Sequence, residues 1–426
     1  MKLLRAACTA AIATGWMGLV RAQATDDISA GTLADFARAQ RVSALARLDY
    51  FQSSRMLDSQ KDFVGSSLQL KALPRLSSRV DGKLEARLID SDLRNRAGKT
   101  GHSRLLEAYA TIHFDRVDLR IGRQVVAWGR ADGINPTDNL TPRDYSVLLP
   151  FDEDQRFGAT AAKLEIYLSR QLTLTAFSTP FFTPSVFPLP ANGTVVEKRP
   201  PRTPSDGSGA LKLSSSGDQL DWSISYYHGR NLLPTVLPTA SQFELRYDHS
   251  NILGADAAHN FGRFGFRTEV AYSQPAGVTN PDPNTRNSRL FWVGGVDRTL
   301  LQSLNINLQL FAHWMPEYRD PSVITAEWTR AAAMENAIIA GQESRFSTGT
   351  TFRISNQWLH DTLQAEIFGA ANFTHGDRFL RPLVTYAFND HLKGTLGGEI
   401  YRGGRTTPYG LFEPNTGAFL ELRYGL

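Results

Sequence analysis

Charged side chains at every second position are the first feature of the sequence that could do chemistry. In VDGKLEARL, residues 80–88, Lys83, Glu85 and Arg87 alternate with small or aliphatic residues. Acids and bases intermixed along one line suit the attraction and sorting of charged solutes. The same alternation is typical of a β-strand with one apolar and one charged face.

A second charged line follows at 117–123. Asp118 and Arg120 alternate with aliphatic residues, and Arg123 comes three positions after Arg120. We expect these three side chains to share a wet interior with the charged residues of 80–88, because charges cost free energy wherever a sheet faces apolar surroundings.

Residues 129–155 carry many charges outside these strands. The segment reads GRADGINPTDNLTPRDYSVLLPFDEDQ, and its Asn-Pro and Thr-Pro pairs would stiffen it. Folded into the lumen of a barrel, it would form a constriction that selects solutes; as a surface loop, it would lie in water. The sequence leaves both alternatives open. The candidate constriction residues here are Arg130, Asp138, Arg143 and Asp144.

The sequence contains no recognised catalytic or metal-binding motif. No GxSxG, HExxH or phosphate-loop pattern occurs, and the histidines and the sole cysteine show no zinc spacing. Oxygen-rich stretches at 152–154 and 280–284 do not have the spacing of a calcium loop. We therefore predict no enzyme activity, no metal and no cofactor. Histidines near carboxylates keep a hydrolase as a weaker alternative.

The N-terminus predicts export from the cytoplasm. Residues 1–24 combine a basic start, an apolar run and the small residues Ala22 and Ala24, as in a signal peptide cleaved after Ala24. Cys8 lies inside this leader, and too little apolar sequence precedes it to favour lipid attachment. The mature chain would then have no thiol.

Residues 25–42 are predicted to be a short periplasmic segment with a helix at 31–41. The leader holds three basic residues and no acid, so its removal lowers the formal charge of +4 to about +1. Such a balance indicates no nucleic-acid partner.

The pattern from residue 43 to residue 426 predicts a membrane barrel. No run of about 18 apolar residues follows the leader, but alternating segments recur, and we count about eighteen strands, within a range of about 16 to 20. Short and long connections alternate, whereas a soluble sandwich would have turns of similar length at both ends. We predict an all-β, antiparallel transmembrane barrel with short periplasmic turns and long extracellular loops, located in the cell outer membrane.

Three local predictions complete this architecture. Residues 241–258 are interpreted as one long strand, because dividing them gives an odd strand total. Residues 325–342 are predicted to form a helix, either a lid or part of an outer loop. Aromatic residues near strand ends indicate girdles at the two membrane interfaces.

The last strand, 417–426, resembles the C-terminal recognition strand of bacterial outer-membrane proteins, although it ends in Leu426 instead of Phe or Trp. This resemblance implies assembly by the barrel-assembly machinery. We expect outer-membrane lipid and lipopolysaccharide as the surrounding partners.

A further resemblance lies in LRIGRQVVAWG at 119–129, followed by Asn135-Pro136 and Asp138. It resembles the strand-and-loop signature of Gram-negative outer-membrane barrels that include alginate-export-like and other porin-like proteins, over about residues 117–160. The resemblance implies a large barrel with solute passage or export through its lumen, in which Arg120 and Arg123 attract anions. Acids intermixed with these arginines depart from a purely polyanion-selective channel.

We therefore predict an outer-membrane channel or export conduit that passes small polar or anionic solutes, or a polymer, through a charged lumen. Export of a hydrophobic molecule is the alternative if the lumen is apolar and closed. A hydrolase is the weaker alternative. Discrete conductance steps would indicate the channel.

Overall fold

The computed structural model describes residues 40–53, 60–92, 101–146, 152–187, 194–217, 219–277 and 284–426. The predicted signal peptide, residues 1–24, and nearly all of the helix predicted at 31–41 lie outside these ranges. The strands of the first half are β1 (Ser43–Ser53), β2 (Asp62–Ala72), β3 (Arg75–Ser77), β4 (Val80–Ser91), β5 (Gly101–His113), β6 (Val117–Gln124), β7 (Ala159–Tyr167), β8 (Leu172–Thr179), β9 (Val195–Glu197), β10 (Ser208–Ser215) and β11 (Leu220–Arg230).

The second half contains most of the helical elements. Its strands are β12 (Thr235–Pro238), β13 (Phe243–Arg246), β14 (His249–Phe261), β15 (Phe264–Pro275), β16 (Arg289–Leu300), β17 (Leu304–Trp314), β18 (Phe346–Trp358), β19 (Leu363–Asn372), β20 (Asp377–Ala387), β21 (Leu392–Arg402) and β22 (Gly417–Gly425). The helices are α1 (Glu327–Ala340) and α2 (Pro408–Leu411), and short 3-10 turns lie at Asp152–Gln155, Pro204–Asp206, Pro321–Val323 and Glu413–Asn415.

Eighteen strands of the described residues form one closed antiparallel barrel. Each strand pairs with its neighbours in the chain, the short β3 pairs with β4, and the wall skips β9, β12 and β13. The barrel closes where β1 pairs with β22, with Arg47 opposite Arg423. Because both ends of the sheet are paired, their backbone groups are satisfied without water, as a hydrocarbon environment requires. The predicted strand number is confirmed.

The alternation of side chains is enforced by the surroundings of the wall. On β4, Leu84 and Leu88 are 52% and 50% exposed, whereas Glu85 and Arg87 are 9% and 3% exposed. Aliphatic side chains therefore cover the outside, and charges point inward, which is stable when the outside is lipid. Other strongly exposed aliphatic residues of the wall are Leu211, Ile224, Leu253, Leu308, Leu310, Leu396 and Leu420.

Exposed aromatic residues lie near the strand ends, as predicted for interface girdles. They include Tyr50, Phe114, Tyr167, Trp314 and Phe388. Amphipathic rings are most stable at this level of a bilayer. Tyr109 is different, because its ring faces inward and packs 4.4 Å from the guanidinium of Arg120.

Connections at one end of the barrel are short, as at 114–116 and 262–263, and most at the other end are long. We call these the short-turn end and the long-loop end. Among the described residues, no helix combines the length and the apolar character needed to cross a membrane.

The single strand predicted at 241–258 is wrong. The strand ends at Arg246. The residues before this point form β13, which joins a separate small sheet with β9 and β12, and only β14 enters the barrel. Tyr247, inside the predicted strand, is 1% exposed, and its hydroxyl donates to Glu197 of β9 at 2.5 Å. The even total survives because β13 lies outside the wall.

Helix α1 confirms the prediction at 325–342. It packs Ala332, which is fully buried, against Val236 and Leu245 of the small sheet. The Asn336 side chain bonds to both backbone polar groups of Val236, at 2.5 and 2.8 Å. The helix is therefore part of a folded cap at the long-loop end.

Candidate functional site

The connection between β6 and β7 lies inside the barrel over its described residues, 125–146 and 152–158; we call these residues the inserted segment. Strand β6 ends at Gln124, because the N–H of Val125 donates to the Glu107 carboxylate at 2.9 Å and the backbone leaves the sheet. The segment contacts strands in different parts of the closed wall, from β14 through β18 to β1. A chain segment can touch all of these only by crossing the interior.

Glu269 of β15 binds the backbone of the inserted segment. Its carboxylate accepts from the N–H groups of Arg130 (2.9 Å), Ala131 (3.2 Å) and Thr137 (2.7 Å), and from Thr137 Oγ1 (2.8 Å). Gly129 permits this approach, since its φ is +96° and an added Cβ would lie 2.6 Å from Glu269 Oε2. Glu269 is 1% exposed, so these bonds form away from bulk water.

Side-chain ion pairs extend this attachment along the wall. Arg130 donates from Nε to Asp256 at 2.5 Å and from Nη1 to Asp221 at 3.3 Å. Arg353 of β18 holds Asp132 of the segment at 2.8 and 3.1 Å and also binds Glu366 of β19 at 2.5 Å. The segment is therefore bound to four strands of one side, β11, β14, β15 and β18.

An apolar contact also holds the same segment. Val126, Trp128 and Leu140 pack inside the barrel on small and aromatic wall residues, and Trp128 is 7% exposed. Their partners are Ala161, Phe177, Ala210, Tyr227, Ile252 and Ala271. This inner core stabilises the segment by removing apolar area from water.

The C-terminal part of the segment reaches the opposite region of the wall through Asp154. Arg47 donates to both oxygens of its carboxylate, at 2.5 and 2.8 Å. Arg87 donates to the Asp154 carbonyl at 2.8 Å and lies 3.3 Å from its carboxylate, and Arg423 lies at 3.5 Å. Burial alone would raise the pKa of Asp154, but the hydrogen bond and charge of Arg47, with Arg87 and Arg423, lower it below its ordinary value.

The candidates on β4 surround this contact. Lys83 lies 2.8 Å from Glu85 and also binds Glu107, and Glu85 accepts from Gln69. Gln69 in turn accepts from Arg87 at 2.7 and 3.0 Å. The three candidates therefore form one connected network on the inner face.

The candidates on β6 do not join that network. Asp118 lies towards the short-turn end, 2.8 Å from His113 Nδ1 and from the Tyr167 hydroxyl. Arg120 donates to Thr111 at 3.1 Å. The Arg123 guanidinium packs 5.5 Å from the Phe157 ring, and its Nε is buried with no hydrogen-bond partner among the described residues.

The remaining candidates pair within or beside the inserted segment. Asp138 binds Arg156 at 2.5 Å and Arg143 at 3.5 Å, which ties the two halves of the segment together. Asp144 binds Arg104 of β5 at 2.6 Å. Residues that the sequence prediction missed as site members are Arg47, Asp154, Asp256, Glu269 and Arg353.

An open cavity of about 210 Å³ lies at the long-loop end, between the inserted segment, β14 to β16 and the end of α1. Arg286 and Arg289 line it and donate to backbone carbonyls, at 2.8 Å to Leu233 and 2.6 Å to Ala340. Neither forms an ion pair with a carboxylate within the described ranges. Burial lowers the pKa of Arg286 to about 10. The cavity wall is therefore electropositive and also presents the ring of Phe291.

Within the described part of the chain, no group of three or more His, Cys, Asp and Glu side chains has an arrangement suited to a metal ion. Asp154, one of the oxygen-bearing residues at 152–154, is bound by guanidinium groups instead.

Solved structures of outer-membrane proteins share this fold. OccK9 (OpdG) of Pseudomonas aeruginosa is 12% identical with a TM-score of 0.56, over 90% of this chain and 97% of that chain. OpdK of the same organism is 11% identical with a TM-score of 0.55, over 90% and 98%. OccAB4 of Acinetobacter baumannii is 12% identical with a TM-score of 0.53, over 90% and 97%. The predicted porin-like outer-membrane barrel is confirmed, and its location is the cell outer membrane.

Comparison of the sequence with family models identifies a family. No curated protein matches the chain. A family model described as "Protein of unknown function (DUF1302)" matches residues 28–409, nearly the whole chain. The chain therefore belongs to the DUF1302 family, whose members are described as proteins of unknown function.

Proposed function

We propose that the protein is an outer-membrane channel for small polar or anionic solutes, and that the inserted segment forms its constriction. The observation that carries this proposal is the binding of the inserted segment to separate parts of the wall. Glu269 and Arg353 of the wall bind it on one side, and Arg47 binds its Asp154 on the other. An eighteen-stranded barrel is wide enough for an aqueous passage, and a fixed inner segment narrows it.

The charges along this route favour small solutes over a polyanionic polymer. Arg87 and Arg353 both face carboxylates, so the interior presents paired charges of both signs. The cavity at the long-loop end adds an electropositive entrance through Arg286 and Arg289. One fold neighbour, OpdK, has a structure with vanillate, a solute of the size class that we propose here.

The charged interior argues against export of a hydrophobic molecule. Such a solute would displace water from the charged side chains along its path and give them no polar partner in return.

We also propose that the protein is not an enzyme. His113 bonds to Asp118 and Asp81, and neither carboxylate supplies the hydroxyl or thiol nucleophile of an acyl-transfer site.

We further propose lipopolysaccharide as a surface partner and the barrel-assembly machinery as the partner of β22.

Planar-bilayer recording of the refolded protein tests the channel. We expect discrete conductance steps and a reversal potential that shifts when Arg87 is changed to Glu, because that residue lies beside the constriction. Arg263→Glu is the matched control, since Arg263 lies in the turn between β14 and β15.

The proposal fails if the refolded barrel gives no discrete steps. If steps occur but Arg87→Glu and Arg263→Glu shift the reversal potential equally, Arg87 has no place in the constriction.

A further inference from the structure

The contact around Asp154 depends on a carboxylate that the wall itself does not supply. Arg47, Arg87 and Arg423 come from β1, β4 and β22, and all three lie within 3.5 Å of Asp154 oxygens. Glu421 of β22 also binds Arg423 and lies 3.8 Å from Arg47. Asp154 is the member of this group that comes from the inserted segment.

Removing Asp154 would take away the closest carboxylate of two buried arginines. Arg47 and Arg87 lie 2.5 and 3.3 Å from the Asp154 carboxylate, whereas Glu421 lies 3.8 Å from Arg47. A charge that loses its partner in a partly desolvated interior is costly. An anion that took the place of Asp154 would restore this contact.

The two sides of this contact differ in how firmly they are held. The side chains of Arg47 and Arg87 are 3% and 4% exposed on paired strands, and Gln69 fixes the Arg87 guanidinium. The Asp154 side chain is 17% exposed and belongs to a connection between strands. The cationic half therefore belongs to the paired wall, whereas Asp154 is partly exposed and comes from a connection between strands.

We propose that Asp154 occupies a solute-binding site, and that a small organic anion with a carboxylate head group binds Arg47, Arg87 and Arg423 by displacing it. This inference rests on the proposed channel function. Asp154 indicates which head group the site would bind. The Arg47 guanidinium already donates to both of its carboxylate oxygens, in the paired geometry that guanidinium groups favour. Displacement would also free the C-terminal part of the inserted segment and widen the passage while the solute is bound.

Isothermal titration of the detergent-folded barrel with benzoate tests the site. An internal competitor lowers apparent affinity, so Asp154→Asn should bind benzoate about 10- to 100-fold more tightly than wild type, as expected for loss of one charge-assisted contact. Asp132→Asn is the matched control: it removes the same charge from the same segment, but its partner Arg353 keeps Glu366. Benzylammonium, a cation of similar size, should show no gain.

A second variant separates binding from folding. Adding Arg87→Gln to Asp154→Asn should abolish the gain while the barrel keeps its strand content by circular dichroism. Equal benzoate affinity in wild type and Asp154→Asn would overturn the proposal, as would an equal gain in Asp132→Asn. Single-channel conductance is measured separately. If Asp154→Asn binds benzoate more tightly but the barrel gives no conductance steps, the channel is rejected and the binding site is kept. If conductance steps occur without tighter benzoate binding, only the binding site is rejected.

Discussion

Thr137 donates two hydrogen bonds to Glu269, from its backbone N–H at 2.7 Å and from Oγ1 at 2.8 Å, although 132 residues separate them in the sequence. Glu269 lies on the wall and Thr137 on the inserted segment, so this contact fixes the depth and orientation of the segment in the barrel. The geometry of the proposed constriction therefore depends on a residue outside it.

Replacing Glu269 with Gln should loosen the segment without removing it. The amide NH2 would face backbone N–H donors, and the loss of matched acceptors should cost about 1–3 kcal/mol. We expect larger and more variable single-channel conductance. Glu165→Gln is the control, because Glu165 pairs with Lys163 on β7; equal conductance changes in the two variants would contradict the role of Glu269.

Trp128→Ala should remove the apolar support of the segment. Loss of a buried Trp side chain costs about 3–5 kcal/mol in protein cores, and Trp128 is 7% exposed. Urea unfolding in lipid vesicles measures the change. Trp314→Ala, at an outward position that is 47% exposed, should cost clearly less, and a larger loss there would reverse our account of the inner core.

The pair formed by Arg353 and Asp132 should be energetically coupled. A double-mutant cycle with Arg353→Gln and Asp132→Asn should give an interaction free energy of about 1–2 kcal/mol, because the guanidinium donates two hydrogen bonds to the carboxylate. Folding in vesicles supplies the four free energies. Strict additivity would show that this contact does not hold the segment.

Leu84→Arg should destabilise the barrel by about 2–4 kcal/mol, the cost of a cation on the lipid face near mid-bilayer. The control is Val323→Arg, at a 74% exposed position in a 3-10 turn of the cap, where we expect little change. Similar free energies of unfolding for the two variants would mean that Leu84 does not contact lipid.

Glu343 should make the cap sensitive to pH. Burial raises the pKa of Glu343 to about 7, with a further contribution from Asp377. Its folded pKa exceeds the ordinary value of about 4.3, so the stabilisation from the bound proton is present at low pH and is lost as pH rises towards 7. Relative to Glu343→Gln, wild type should lose about 3 kcal/mol between pH 4 and 8, since each unit of pKa difference corresponds to roughly 1.4 kcal/mol. A pH-independent difference in thermal unfolding would contradict this.

Much of the wall could be predicted because lipid and water act on alternate residues of each strand. On β4, charges at Glu85 and Arg87 between Leu84 and Leu88 leave one stable orientation in a membrane. The break in 241–258 was missed because β13 has only four residues, too few for a period of two to show whether a strand belongs to the wall.

The inner contacts could not be predicted for a different reason. The alternation in the sequence predicts that the charged side chain of Glu269 points into the barrel. Its partners Arg130 and Thr137, however, lie more than a hundred residues earlier. Nothing in local composition selects Glu269 over another inward acid. The network on β4 was easier to anticipate, since its candidates Lys83, Glu85 and Arg87 share one strand.

The pairing of Asp154 with Arg423, 269 residues later in the chain, has a consequence for the order of assembly. Arg353 and Glu269 also follow the inserted segment, so its binding partners reach their positions only when the later strands have been added. Contacts of such long range are slow to form. We expect the barrel to enter the bilayer with an open lumen. The inserted segment should bind the wall last, after β1 has paired with β22.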